Sequence, residues 1–239
     1  MPRALAASAG AAGGVRAYTL QVREPMAKST EIAAVKHVYR NAADWARINA
    51  KFILDPIARL FIRLGIRANI LTFAGLLGNA AGAFFLARGE FLPGGLLILA
   101  MGPIDALDGS TARLRGETSD WGAFVDSTTD RWSEGVILLG LLAYYVQRTD
   151  AQGALLVMLA LFGSMMVSYT KARAEGLGFT ADVGIMTRFE RYLVLAPSLL
   201  LGWPAIGLWV IASLANITAV QRFLHVRRQW YARAAKPPL

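Results

Sequence analysis

Several stretches of this chain are apolar for about 20 residues, the length that an α-helix needs to cross the hydrocarbon core of a bilayer. Hydrophobic residues make up 55% of the 239 residues and charged residues only 17%, and the mean hydropathy is +0.43. A backbone in lipid must satisfy its own hydrogen bonds, so such stretches fold as helices. The sequence therefore predicts an all-α polytopic membrane protein with one membrane domain.

Turn and cap residues divide the apolar part of the chain into six predicted transmembrane helices. Gly116 is typical of a helix stop, and Ser119 is typical of the N-cap of the next helix. The predicted spans cover residues 69–86, 91–115, 120–147, 153–175, 188–201 and 204–223. Together they form a predicted membrane domain of residues 67–228.

Three further segments flank this domain. Residues 1–42 are rich in Ala and Gly and predict a poorly ordered cytoplasmic tail. Residues 43–66 place apolar side chains at helical spacing and basic side chains on the other faces, which predicts a juxtamembrane amphipathic helix at the bilayer interface. Residues 229–239 form a predicted basic cytoplasmic tail.

The net charge of +9 comes largely from basic residues that flank the predicted spans. The segments assigned to the cytoplasm carry an excess of them: Arg113, Arg115, Lys171, Arg173, Arg188, Arg191, Arg222, Arg227 and Arg228. This bias predicts a protein of the cell (inner) membrane with both termini on the cytoplasmic side. An anionic substrate is a second explanation of the charge. Nucleic-acid binding is not expected, because the basic residues form no separate domain. The sequence has no cysteine, which excludes disulfides and zinc–thiolate sites.

Four acidic residues lie within 26 residues where the second predicted span meets the third: Asp105, Asp108, Asp126 and Asp130. Their i,i+3 and i,i+4 spacings put each pair on one helix face. Counted from the predicted turn, Asp108 and Asp126 share one depth, and Asp105 and Asp130 share a deeper one. The spacing predicts a single four-carboxylate site at the cytoplasmic boundary. Four like charges repel, so we expect a divalent cation such as Mg²⁺ or Mn²⁺ between them.

Two metal ions in such a site would suit displacement at phosphorus, with one carboxylate as the base toward an attacking hydroxyl. The structural alternative is an acidic hairpin held only by ion pairs to Arg113 and Arg115, but two arginines cannot neutralise four buried acids. An alternative of another class is an ion or proton transporter that uses the intramembrane carboxylates. A third is an inactive membrane scaffold, against which the intact acidic motif argues.

The motif Asp105-x2-Asp108-Gly109-x2-Ala112-Arg113-x8-Gly122-x3-Asp126-x3-Asp130 resembles the signature of the CDP-alcohol phosphotransferase family at all eight specified positions. The resemblance covers roughly residues 43–228. It implies transfer of a substituted phosphate from a CDP-linked lipid to an alcohol, with release of CMP. It also implies two divalent cations among the four aspartates, with Asp130 as the catalytic base. The residues implied in CDP-lipid binding are Asn69, Thr72, Gly109, Ala112, Arg113 and Gly122. Ala68 stands where the family often has Pro before the Asn.

Two basic segments, Lys171-Ala-Arg-Ala-Glu and Arg188-Phe-Glu-Arg, resemble those of phosphatidylinositol-phosphate synthases, although Phe189 replaces a frequent Pro. The resemblance implies that CDP-diacylglycerol is joined to inositol phosphate, and that Lys171, Arg188 and Arg222 bind the acceptor phosphate. Transfer to glycerol 3-phosphate, as in phosphatidylglycerol-phosphate synthases, is the alternative, and an archaeal-lipid version of either reaction stays open.

A stripe of small residues follows one face of the first predicted span: Gly75, Gly78 and Gly82. Small residues let helix backbones approach closely in membranes. The stripe predicts tight helix packing, either within the bundle or at the seam of a homodimer.

Overall fold

A computed structural model describes residues 54–235, and this part of the chain is built from helices joined by short connections, without a strand. Helix α1 covers residues 54–63 of the described part. The helices that follow are α2 (Ala68–Ala87), α3 (Phe91–Arg115), α4 (Asp120–Gln147), α5 (Ala151–Gly176), α6 (Arg188–Leu200) and α7 (Pro204–Ala234). The all-α prediction is confirmed. The predicted tail of residues 1–42 and the first part of the predicted amphipathic helix, residues 43–53, lie outside the described residues.

The turn between α3 and α4 forms where the sequence predicts it. Gly116 ends α3 in the left-handed conformation, with φ 68° and ψ 19°. Glycine reaches this conformation without the steric cost of a Cβ atom. Ser119 caps α4, because its Oγ accepts a hydrogen bond from the backbone N–H of Gly122 at 3.1 Å. The two helices therefore form an antiparallel hairpin whose turn end carries the acidic motif.

Helix α7 is longer than the predicted sixth span, which covers residues 204–223. The helix continues to Ala234, because no Gly or Pro interrupts it before Pro237. The continuation is also tied down by its side chains. The Gln229 amide accepts from the Thr180 N–H at 3.1 Å and donates to the Thr180 carbonyl at 2.6 Å. The basic segment thus extends the last helix and contacts the connection between α5 and α6.

Among the described residues, four helices are long and apolar enough to cross a membrane: α2, α3, α5 and α7. Helix α4 carries its charged residues between Asp120 and Glu134. Helix α6 has 13 residues, which gives a length of about 20 Å against a hydrocarbon core of about 30 Å. The chain is a polytopic membrane protein, and the count of six spans stays a prediction.

Close helix packing uses the predicted small residues within the chain. A Cβ atom on Gly82 would lie 3.1 Å from the Gly94 carbonyl oxygen of α3, and one on Gly78 would overlap the side chain of Met101. These two glycines therefore serve the α2–α3 contact. The predicted homodimer stays a prediction.

A small apolar cluster packs α1 against the first turn of α2 and the second half of α3, beside the acidic motif. Its buried members are Ala58, Leu71 and Leu107. The main core lies further along the bundle and contains buried residues of every helix from α2 to α7. The acidic motif is thus held on a packed framework at one end of the bundle.

Candidate active site

Three of the four predicted carboxylates converge at the turn end of the α3–α4 hairpin. Asp105, Asp108 and Asp126 each offer an oxygen, and these oxygens all lie within 4.8 Å of one another. Carboxylate oxygens at such separations suit a hard divalent cation such as Mg²⁺ or Mn²⁺. The residues present therefore fit the predicted metal, and these three would hold it.

Thr72 orients one of these carboxylates. Its Oγ1 donates a hydrogen bond of 2.6 Å to Asp108 Oδ2, and both residues are buried. A donor behind a ligating carboxylate fixes its rotamer and directs its other lone pairs toward a metal. The family resemblance implies a place for Thr72 in the CDP-lipid pocket. The structure adds a direct contact with the acidic site.

Asp130 faces Asp105 across the seam, as the spacing predicts, and the guanidinium of Arg188 lies between them. Arg188 Nη1 is 2.6 Å from Asp105 Oδ2 and 2.8 Å from Asp130 Oδ1, and Nη2 is 3.4 Å from Asp105 Oδ1. The contact with Asp130 has the distance of an ion pair without the direction of a hydrogen bond, so Oδ1 is buried without a directed donor. Buried polar atoms usually have a hydrogen-bond partner, and a bound cation or a reacting hydroxyl would supply the one that this atom lacks.

The site differs from the alternative in which ion pairs to Arg113 and Arg115 alone would hold an acidic hairpin. Arg113 donates to Ser110 Oγ at 2.9 Å, and Arg115 lies 3.8 Å from the carboxylate of Glu117. Two cations that do contact the motif are Arg188, from α6, and Arg131, whose Nη1 is 3.3 Å from Asp130 Oδ2. Arg188 is predicted only as a ligand of the acceptor phosphate, and Arg131 has no predicted role.

A buried ion pair joins α4 to α6 one turn away from Asp130 and Arg188. Arg191 Nε is 2.5 Å from Glu134 Oε1, and its Nη2 is 2.8 Å from Glu134 Oε2. Arg191 is 3% exposed and also donates to the Met186 carbonyl at 3.2 Å. This bidentate contact sets the rotation of α6 relative to α4. The sequence carries one signal for this pair. Glu134 follows Asp130 by four residues and Arg191 follows Arg188 by three, so each lies on the same helix face as a residue of the acidic site.

The other residues assigned to CDP-lipid binding lie at the same end of the bundle. Gly109, Ala112 and Arg113 occupy the last turns of α3, Gly122 lies in the first turn of α4, and Asn69 is exposed in the first turn of α2. A Cβ atom on Gly109 would come within 3.3 Å of Arg113 Nη1, so the glycine leaves room for that guanidinium. Their roles in binding stay predictions.

The three residues assigned to the acceptor phosphate all have partners within the chain. Lys171 Nζ lies 2.6 Å from Asp182 Oδ1, and Arg188 contacts the acidic motif. Arg222 is buried, and its guanidinium donates to the carbonyls of Val183 at 3.0 Å and Val167 at 2.7 Å. Their common role in phosphate binding stays a prediction.

The sequence of the chain is similar to a known protein family and to two of its relatives. A family model, CDP-alcohol phosphatidyltransferase, matches residues 66–223. The archaetidylinositol phosphate synthase of Methanothermobacter thermautotrophicus is 38% identical over 180 residues, which cover 72% of this chain and 88% of the relative. The phosphatidylinositol phosphate synthase of Streptomyces avermitilis is 36% identical over 200 residues, which cover 77% of this chain and 82% of the relative.

Solved structures of a further relative are also similar. The crystal structure of Mycobacterium tuberculosis phosphatidylinositol phosphate synthase with CDP-DAG bound superposes with a TM-score of 0.68 at 31% identity, covering 73% of this chain and 93% of that one. The same protein in complex with manganese and citrate gives a TM-score of 0.68 and covers 73% and 88% of the two chains.

Proposed function

This chain belongs to the CDP-alcohol phosphatidyltransferase family, and from that membership we propose the reaction that it catalyses. The chain transfers the phosphatidyl group of CDP-diacylglycerol to a hydroxyl of inositol phosphate. The products are CMP and phosphatidylinositol phosphate. The protein is therefore a membrane-bound phosphotransferase of phospholipid biosynthesis.

The observation that carries the proposal is the convergence of three carboxylates within 4.8 Å beside a fourth, Asp130. Divalent cations in this site neutralise phosphate oxygens and assist the departure of the nucleotide. Asp130 accepts the proton of the acceptor hydroxyl. The acceptor oxygen forms a bond to the lipid-bearing phosphorus, the bond from that phosphorus to the CMP oxygen breaks, and CMP leaves with the bonding electrons. Thr72 keeps Asp108 aligned throughout.

The choice of acceptor rests on the basic residues and on the relatives. Lys171, Arg188 and Arg222 lie on α5, α6 and α7, and a phosphate-bearing acceptor explains why three helices supply cations. The relatives described above carry the names of inositol phosphate synthases, one for phosphatidyl and one for archaetidyl lipids. The second name makes an archaeal ether lipid the alternative donor.

An acceptor competition tests this function. Membranes that contain the chain receive Mg²⁺ and CDP-diacylglycerol with inositol phosphate, glycerol 3-phosphate, serine or free inositol, and released CMP is measured. We expect CMP release with inositol phosphate and little with the others. Release with glycerol 3-phosphate instead would contradict the acceptor assignment. If neither the diacyl nor the archaeal donor gives CMP with any acceptor, the reaction itself is wrong, and ion flux in vesicles then tests the transporter alternative.

A further inference from the structure

The guanidinium of Arg188 lies where a cation is expected. It contacts Asp105, a member of the three-carboxylate group, and it also contacts Asp130. We propose that Arg188 is an internal counter-ion that holds the site in its metal-free form and leaves Asp105 when a divalent cation binds. This inference rests on the proposed function only in taking the acidic site to be a divalent-cation site.

The charges of the site support an exchange. Four ionised aspartates carry four negative charges, and Arg188 and Arg131 supply two positive charges in contact with them. Two divalent cations alone would balance the carboxylates. The guanidinium of Arg188 would then be a surplus positive charge beside the bound cations, and like charges at short range repel. Asp105 Oδ2, at 2.6 Å from Arg188 Nη1, is the atom for which the two compete most directly.

The surrounding contacts indicate that the side chain moves while its helix stays in place. Arg191 is fixed to Glu134, and the single hydroxyl hydrogen of Tyr192 is shared between the carbonyl oxygens of Ile98 at 2.9 Å and Leu99 at 2.7 Å. These contacts hold the backbone of α6 against α4 and α3. The side chain of Arg188 itself is 37% exposed, so it has room to turn away from the carboxylates.

The exchange has two consequences for the reaction. The guanidinium that leaves Asp105 becomes available to an anionic phosphate, so cation binding and phosphate binding support each other. Departure of the guanidinium also frees Asp130 Oδ1 to accept a hydrogen bond from the acceptor hydroxyl. Arg188 thereby couples the binding of divalent cations at the acidic site to the binding of the acceptor phosphate.

A Mn²⁺ titration without substrate tests the proposal. Purified metal-free protein is titrated, and free Mn²⁺ is followed by electron paramagnetic resonance for the wild type, Arg188→Gln and Arg131→Gln. Arg131→Gln is the matched control, because it removes a cation that contacts Asp130 and leaves Asp105 untouched. We expect Arg188→Gln to bind Mn²⁺ at least about tenfold more tightly, since a charge-assisted contact no longer competes. Arg131→Gln should change the affinity much less. Equal affinities of the wild type and Arg188→Gln, or equal gains in both variants, would overturn the proposal.

A second measurement uses the wild type alone and does not depend on how the variant folds. Arginine residues are modified with phenylglyoxal with and without Mn²⁺, and Arg188 is quantified by mass spectrometry. We expect Mn²⁺ to increase its modification severalfold, while Arg115 stays unchanged. Modification that is unaffected or decreased by Mn²⁺ would overturn the proposal. Neither measurement uses CDP-lipid or acceptor, so a negative result here together with normal CMP release would remove this inference and leave the proposed function standing.

Discussion

At the scale of single residues, the spacing of the acidic motif predicts that Asp105 and Asp130 share a depth, and both contact the guanidinium of Arg188. Helical periodicity and a turn at Gly116 determine which carboxylates share a depth. The contact of Arg188 with Asp105, 83 positions away in the sequence, does not follow from this spacing, and the family resemblance predicts Arg188 only as a ligand of the acceptor phosphate. A contact of that range depends on how α6 is rotated, and local patterns carry no information about that rotation.

The hydrogen bond from Thr72 to Asp108 makes a prediction at this scale. Thr72→Val keeps the shape of the side chain and removes the donor, so Asp108 loses the contact that orients it. We expect Mn²⁺ affinity and CMP release to fall about 10- to 100-fold. Thr72→Ser, which keeps the hydroxyl, should stay within a few-fold of the wild type. A Thr72→Val variant with unchanged Mn²⁺ affinity would show that Asp108 is oriented by other contacts.

At the scale of helices, most boundaries followed from turn chemistry. The ends of α3 and α4 coincide with the predicted ones, because Gly116 and Ser119 are unambiguous cap residues. The end of α7 could not be predicted in this way, because falling hydropathy marks the edge of the membrane and does not by itself end a helix. The contacts of Gln229 with Thr180 show what the extension packs against.

The Glu134–Arg191 pair predicts the stability of the α4–α6 contact. Arg191→Met leaves a buried carboxylate without its partner, which should lower the unfolding free energy by about 3–5 kcal/mol. The double variant Glu134→Leu with Arg191→Met removes both charges and should recover much of that loss. Thermal unfolding in detergent measures both variants. Arg88→Ala, which breaks an exposed pair with Glu90, is the control and should cost about 0–1 kcal/mol. If Arg191→Met is as stable as this control, the pair does not anchor α6.

At the scale of the whole molecule, composition alone predicted an all-α membrane protein, and the structure agrees. The predicted orientation in the membrane rests on the distribution of basic residues. The predicted homodimer rests on the glycine stripe, but two members of that stripe, Gly78 and Gly82, serve the α2–α3 contact. A homodimer would therefore need another surface. Cross-linking in native membranes that yields only monomer would count against it.

The predicted cytoplasmic position of the site can be measured because the chain lacks cysteine. Thr118→Cys places a thiol in the exposed α3–α4 turn, and Gln152→Cys places one at the opposite end of the bundle, in the first turn of α5. A membrane-impermeant maleimide should label Thr118→Cys only in inside-out vesicles and Gln152→Cys only in right-side-out vesicles. The reverse pattern would contradict the positive-inside assignment.

The central claim is that the acidic end of the bundle performs metal-dependent transfer of a phosphatidyl group with Asp130 as the base. The most direct measurement compares the rate of CMP release from CDP-diacylglycerol and inositol phosphate, at saturating Mg²⁺, for the wild type and Asp130→Asn. The account predicts release by the wild type and a loss of about 10²–10⁴-fold in the variant, the usual contribution of a general base. A folded Asp130→Asn protein that releases CMP within a few-fold of the wild-type rate would contradict it.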